Sequence, residues 1–231
     1  MRLIGYSSGA LAKGKFNVAI DMLNKHKNVT AIELSALLYS ELKTLIDAIH
    51  TLNLSKYEYI SIHGPKFENE TEEEITVETL LPLIDLNWNI ILHPDVICDI
   101  NKWKVFGKLL CIENMDNKKS FGQTAEELQT IFEELPDASM CFDIGHAFQV
   151  DPTMKEAKKI LWMHGHRLQE IHMSYVKPDG SHNPLSVQCY KQYQLVARYI
   201  TEDIPIILES GIEANKIQDE LKTAHKYLKI K

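Results

Sequence analysis

Successive apolar runs in this 231-residue chain close on side chains that can hold a proton or a metal ion. "ISIH" ends on His63, "IILH" on His93, "LCIE" on Glu113, "CFD" on Asp143 and "IILE" on Glu209, while "EIHMSYV" carries His172. Asp plus Glu number 32 and His 10, too few for six runs in succession to carry them by composition alone. The stretch "CFDIGHAF" poses the problem most sharply, because Asp143 and His146 interrupt an apolar run over 140–147. An isolated buried carboxylate is costly enough to neutralise by a shifted pKa. Several carboxylates crowded together repel unless a cation or protons intervene. A mixed imidazole and carboxylate set suits Zn²⁺, Mn²⁺ or Fe²⁺ better than Mg²⁺ or Ca²⁺, which prefer oxygen shells. Divalent-metal chemistry is therefore the expectation.

Such residues meet only if the scaffold gathers strand ends. Eight strand-like runs are read at 2–8, 31–37, 57–63, 89–93, 109–113, 140–144, 170–176 and 205–210, each nearly continuous in apolar residues. That continuity suits parallel strands covered on both faces. Between them lie amphipathic stretches such as "ELKTLIDAIHTL", "AEELQTIFEEL" and "IQDELKTAHKYLK", whose apolar residues recur at three and four as one buried helix face requires. Thr71 with Glu74 and Thr124 with Glu127 fit capping boxes. Eight strands, each with a following helix, predict an α/β fold, a (β/α)8 TIM barrel forming a single domain over 1–231. Active sites of that barrel sit at the C-terminal strand ends, where the polar residues fall.

Composition narrows the partners. The chain is 45 % apolar and 25 % charged, with net charge −7, and no Lys/Arg cluster supplies the basic face of a nucleic-acid binder. No apolar run approaches the roughly 18 residues of a membrane span. Cys98, Cys111, Cys141 and Cys189 lie far apart without a CxxC pair, which reads as free thiols in a reducing cytoplasm. A homo-oligomer stays open.

The motifs "HGP" (63–65), "HPD" (93–95), "IENM" (112–115), "FDIGHAF" (142–148), "IHMS" (171–174) and "ILES" (207–210) together resemble the xylose isomerase-like barrel superfamily. The resemblance runs along the whole chain in strand order, and it is specific to the superfamily rather than to one activity. It implies first an isomerase or epimerase of a small sugar or sugar phosphate, working through an enediolate. One divalent ion would be held by Glu113, Asp143, His172 and Glu209, with Glu113 and Glu209 as the acid/base pair and His146 on a substrate oxygen. It implies, as the alternative, an endonuclease IV-like zinc phosphodiesterase for abasic-site DNA. There His63, His93 and Glu113 would hold one ion, the four-residue set a second, and His146 with His182 a third. The resemblance thus implies one to three ions. Three departures count against a nuclease: Gly180 in "DGSHNPL" replaces the family's aspartate, the chain is short, and "KFENETEEE" (66–74) puts five glutamates near the mouth.

Lesser signals complete the reading. Glu33 is expected to support a ligand or the substrate, and Lys177 with Ser181 to meet a substrate phosphate. "SSGALAKG" (7–14) is read as a turn. The glutamate run is read as a solvated helix start favoured by the macrodipole. Trp88, Trp103 and Trp162 are expected to pack.

Overall fold

All eight apolar runs form strands in the computed structural model, which describes residues 2–228. The strands are β1 (Ile4–Ser7), β2 (Ala31–Ser35), β3 (Tyr59–His63), β4 (Asn89–Leu92), β5 (Leu110–Glu113), β6 (Ser139–Asp143), β7 (Leu168–Met173) and β10 (Ile206–Leu208). They pair in parallel and close into a barrel in the order β1-β10-β7-β6-β5-β4-β3-β2, confirming the TIM barrel. Two further strands, β8 (Tyr175–Val176) and β9 (His182–Asn183), form an antiparallel hairpin between β7 and β10. At two residues each they are too short to register as a pattern.

Side chains alternate across a strand, and here the two faces have different chemistry. One set, including Ile4, Tyr6, Ile32, Leu34, Ile90, Leu92, Ile112, Phe142, Ile171 and Leu208, packs with the helices in one large apolar cluster. The other set turns into the barrel, where the separate apolar cluster holds only Ile91, Cys111 and Cys141. A TIM barrel interior is usually filled by bulky branched residues. This one buries Glu33, Ser35, Ser61, Glu113, Asp143, Glu170 and His172 instead. Gly5 marks how closely the strands approach, since a Cβ there would lie 1.7 Å from the Ala31 carbonyl oxygen. The β6–β7 register shifts between Met140 and Cys141. Beyond that shift Glu170 pairs with Cys141 and His172 with Asp143, the re-aiming that a bulge provides.

The helices are α1 (Ser8–Ala12), α2 (Phe16–Leu23), α3 (Tyr39–Ala48), α4 (Glu70–Leu80), α5 (Leu83–Leu86), α6 (Ala125–Glu134), α7 (Ile144–Val150), α8 (Lys155–His164), α9 (Val187–Ala197) and α10 (Ile217–Tyr227). None is long and apolar enough to cross a membrane. The expected capping box at Thr124 and Glu127 is present. Four expectations need correction. The stretch read as a turn after β1 contains the short helix α1. The crossover between β4 and β5 is 3₁₀ over Ile100–Leu109, broken at Gly107 with φ of 50°, and its buried Trp103 and Phe106 stand three apart, as eclipsed 3₁₀ positions do. Asn69 rather than Thr71 caps α4, its side chain accepting from Thr71 N and Glu72 N. Trp162 is 78 % exposed on α8, because it lies on the face opposite buried Ile160 and Leu161 rather than in the core.

The glutamate run is a helix start, but one member is not solvated. Glu73 is fully buried and accepts from Cys98 N at 2.9 Å, Asp99 N at 3.0 Å and Trp103 Nε1 at 3.0 Å, tying α4 to the 3₁₀ crossover. Glu73→Ala strands the buried Trp103 Nε1 and leaves the part-buried amides of Cys98 and Asp99 to water. An unsatisfied buried group costs about 1–3 kcal/mol, and the expected loss of that order is read as a lower urea midpoint at unchanged slope.

Candidate metal centre

The C-terminal strand ends converge. His63 closes β3, His93 follows β4, Glu113 closes β5, Asp143 closes β6, His172 lies near the end of β7 and Glu209 follows β10. Glu113 is the hub. Its Oε2 lies 3.3 Å from His63 Nε2 and 3.2 Å from His93 Nε2. Its Oε1 lies 3.3 Å from His146 Nδ1 and 3.4 Å from His172 Nδ1.

Five groups of donors among the described residues have ligand atoms within 4.8 Å of one another. Two, Glu33 with His63 and His172 and Cys141 with Glu170 and His172, involve side chains deeper in the barrel. Three face the mouth: His63, His93 and Glu113; Glu113, Asp143, His172 and Glu209; and Asp143, His146 and His182. Of these three, Glu113 belongs to the first two and Asp143 to the last two. Asp143 Oδ2, His172 Nδ1 and Glu209 Oε2 are buried and make no well-aligned hydrogen bond, although Glu209 Oε2 lies 3.2 Å from His182 Nδ1. Orphaned polar atoms are costly in a native interior, and these three all belong to the four-residue group. The donor set therefore fits a divalent cation, and its mixture of imidazole and carboxylate fits zinc or manganese.

Local structure explains why each residue faces inward. Asp143 is both the last residue of β6 and the N-cap of α7, its Oδ1 accepting from His146 N at 2.7 Å. That cap turns the chain so that His146 returns to the site. Asn114 braces the pair: its Oδ1 accepts from Asp143 N at 2.9 Å, its Nδ2 donates to Asp143 O at 2.9 Å, and its own carbonyl lies 2.9 Å from His146 Nδ1. Gly145 leaves room for the hairpin, because a Cβ there would sit 2.6 Å from Val176 Cγ2 and 2.8 Å from Ser174 O. The hairpin carries His182, whose Nδ1 lies 2.9 Å from Ser174 Oγ and 3.2 Å from Glu209 Oε2, and whose Nε2 lies 3.3 Å from His146 Nε2.

Charge is concentrated here. Burial alone would lower the His63 and His182 pKa values, but nearby carboxylates, Glu33 and Glu113 for the first and Glu209 and Asp143 for the second, raise both to about 9. Burial raises Asp143 to about 6 against the pull of His146. Glu113 and Glu209, although burial opposes it, are held well below the usual carboxylate range by His172 together with His93 and His182 respectively. Burial outweighs Glu113 at His93 and lowers it.

Above the donors lies a cavity of about 360 Å³, its wall including His63, His93, Glu113, His146, His182 and Glu209 with Lys66 and Lys119 at the rim. Lys119 is paired with Asp95. Glu33, expected at the ligand or substrate, is fully buried beneath the cavity with Oε2 3.0 Å from His172 Nε2. Lys177 and Ser181 are exposed on the hairpin turn, where Lys177 N donates to Ser181 O, and neither lines the cavity. Sequence reasoning missed Glu170 and Asn114. Glu170 stands two residues before His172 on the same strand face, a signal visible in "QEIHMS". The four cysteines are free, with Cys98 exposed and the other three buried.

Residues 100–203 match the family described as xylose isomerase-like TIM barrel. The matched segment contains Glu113, Asp143, His146, His172 and His182, whereas His63, His93 and Glu209 lie outside it. No curated protein matches the chain. Among solved structures, an AP endonuclease, family 2, from Brucella melitensis aligns with TM-score 0.62 at 10 % identity, covering 96 % of this chain and 99 % of that one. A candidate sugar phosphate isomerase/epimerase from Anabaena variabilis aligns with TM-score 0.57 at 13 % identity, covering 96 % and 88 %. A member of the enolase superfamily from Polaromonas aligns with TM-score 0.59 at 12 % identity, covering 95 % of this chain and 55 % of that one. Such likeness shows the barrel, and the choice of reaction rests on the site.

Proposed function

We propose, from the premise that residues 100–203 carry the xylose isomerase-like TIM barrel pattern, that the chain is a divalent-metal-dependent hydrolase of small phosphate esters. The observation that carries this reading is the placement of Glu113. It is 1 % exposed and turns one carboxylate oxygen to His63 and His93 and the other to His146 and His172. A carboxylate so enclosed suits a bridge between two ions. It does not suit a base that must reach a substrate carbon, since a general base needs hydrogen-bond reach of the proton it removes.

His63, His93 and Glu113 would hold one ion, and Glu113, Asp143, His172 and Glu209 the other. Ions held there would supply Lewis acidity toward phosphoryl oxygens and toward water. The chain's own residues do the rest. Lys66 would attract the phosphate anion to the rim, and the cavity of about 360 Å³ suits an ester of roughly sugar phosphate size. Gly180 supplies no side chain beside His182, so the third donor group keeps only Asp143, His146 and His182. His182, steadied by Ser174 Oγ, lines the cavity and would give a proton to the leaving oxygen.

Isomerisation of a sugar phosphate at one ion is the second reading, favoured by that same Gly180 and by the small cavity. Chelator-stripped protein reloaded with zinc or manganese separates the two. The expected result is at least two ions per chain and release of nitrophenolate from bis(p-nitrophenyl) phosphate or p-nitrophenyl phosphate, with nicking of an abasic duplex as a further arm. One ion per chain, together with solvent-deuterium incorporation into ketose phosphates and no ester hydrolysis, would overturn hydrolysis in favour of isomerisation.

A further inference from the structure

Below the metal-binding layer the barrel buries a second polar layer with no access to the cavity. Glu170 is fully buried and reaches His172 from the side opposite the donor group: His172 Nε2 lies 2.8 Å from Glu170 Oε1. The other carboxylate oxygen is also engaged. Tyr59 OH donates to Glu170 Oε2 at 2.5 Å, and Asn89 Nδ2 donates to Tyr59 OH at 2.9 Å. A chain of four side chains from β3, β4 and β7 therefore ends on one ring nitrogen.

We infer that Glu170 is a positioning residue that keeps a proton on His172 Nε2, so that Nδ1 alone is presented to the ion. The inference rests on the reading that Glu113, Asp143, His172 and Glu209 hold a divalent cation. Two observations carry it. Nδ1 is buried and without a hydrogen-bond partner, and it faces Glu113 Oε1 at 3.4 Å and Glu209 Oε1 at 3.6 Å. Nε2 has its acceptor in Glu170. Glu33 Oε2 comes within 3.0 Å of the same nitrogen yet has no hydrogen-bond partner, so Glu33 adds negative charge beside the ring while Glu170 takes the N–H. Carboxylate partners of metal-bound histidines fix the ring and its tautomer, and their loss typically weakens metal binding 10–100-fold. Tyr59 performs the same service one step out, because a carboxylate anchored through Oε2 cannot rotate away from the imidazole. The sequence places Glu170 at an interior position of β7 where TIM barrels usually bury an apolar side chain, which is why a fold role alone does not account for it.

The test uses full-length protein labelled with ¹⁵N-histidine, metal-free and zinc-loaded, with zinc affinity read by competition against a chromophoric chelator. In both states of the wild type the expected spectrum has a downfield, slowly exchanging Nε2–H for His172. Glu170→Ala is expected to lose that signal and weaken zinc binding about 10–100-fold. Glu170→Gln, which keeps an acceptor, should retain the signal and lose less than about a tenth of that. Tyr59→Phe removes only the anchor on Oε2, and should keep the signal but speed its exchange; with Glu170→Gln it carries the test if Glu170→Ala does not fold. Zinc on Nε2 with the proton on Nδ1, or unchanged zinc affinity in Glu170→Ala, overturns the inference. Wild type that binds no zinc but shows the protected Nε2–H removes the metal reading while upholding the role of Glu170.

Discussion

Glu113→Gln is expected to lower zinc uptake from two ions to one or none, and to cut ester hydrolysis at least about 10³-fold, since metal Lewis acidity is worth several kcal/mol of transition-state stabilisation. The amide has one oxygen to offer where the carboxylate offers two, so it cannot serve His63 and His93 on one side and His146 and His172 on the other. Its nitrogen would point a donor at imidazoles or at a cation. The substitution is nearly isosteric, so packing around the fully enclosed side chain is preserved and the circular dichroism spectrum should not change. Elemental analysis and p-nitrophenyl ester turnover measure the two effects together. Retention of both ions with less than tenfold loss of rate would remove Glu113 from the bridging role. The same result would deprive the hydrolase reading of the observation that supports it. Loss of the ion with ketose-phosphate exchange abolished, in a wild type that binds one ion and hydrolyses no ester, would instead leave Glu113 as a ligand of the isomerase centre.

The barrel and most of its mouth were legible because both depend on residue type at strand ends. His63, His93, Glu113, Asp143, His172 and Glu209 each terminate or follow an apolar run, and the closed parallel sheet brings them to one layer. What lay deeper was hidden by the reading that made those ends visible. Strands treated as continuous apolar segments conceal their alternation, so the polar inner face of Ser61 and Glu170 reads as noise against Ile and Leu. Glu170 also depends on the β6–β7 register shift, a feature of pairing that one strand's sequence does not carry. His182 was expected at the site from family resemblance, but the two-residue strands that deliver it leave no period to read. Lys177 and Ser181 share that hairpin and were expected with it. The turn carries them outward instead, with Ser181 donating to Asp179. The cap at Thr71 and the packing of Trp162 failed for a local reason: competing caps stand two residues apart, and an indole on an amphipathic helix can face either way.

Acidity should move stability and metal affinity in opposite directions above neutral pH. In the metal-free protein His63 and His182 titrate near 9 because carboxylates surround them, against about 6.5 in an unfolded chain. Groups whose folded pKa is raised stabilise the fold fully below the unfolded value and lose that contribution as pH climbs through the folded one. Melting temperature of stripped protein is therefore expected to fall between pH 6.5 and 9. Zinc binding runs the other way, because ligating imidazoles must give up protons. His63 at one ion and His172 at the other, both raised by their carboxylate neighbours, would each release one, so the logarithm of affinity for each ion should rise with a slope approaching about one per pH unit, at the first ion until His63 has titrated. On the acid side Glu113 and Glu209, held below the ordinary range, stabilise the fold above their unfolded values and lose that contribution as pH falls through their folded ones. Asp143 opposes them: raised to about 6, it takes up its proton early, which favours the fold as pH drops from 6 toward 4. Thermal melts of stripped protein and chelator competition at pH 6, 7, 8 and 9 measure both limbs. Zinc affinity that stays flat over that range would mean that no histidine yields a proton to the ion. A melting temperature that rises from 6.5 to 9 would mean that His63 and His182 are not held as cations by Glu33, Glu113, Asp143 and Glu209, and the charge balance that makes this barrel interior a cation site would be lost with them.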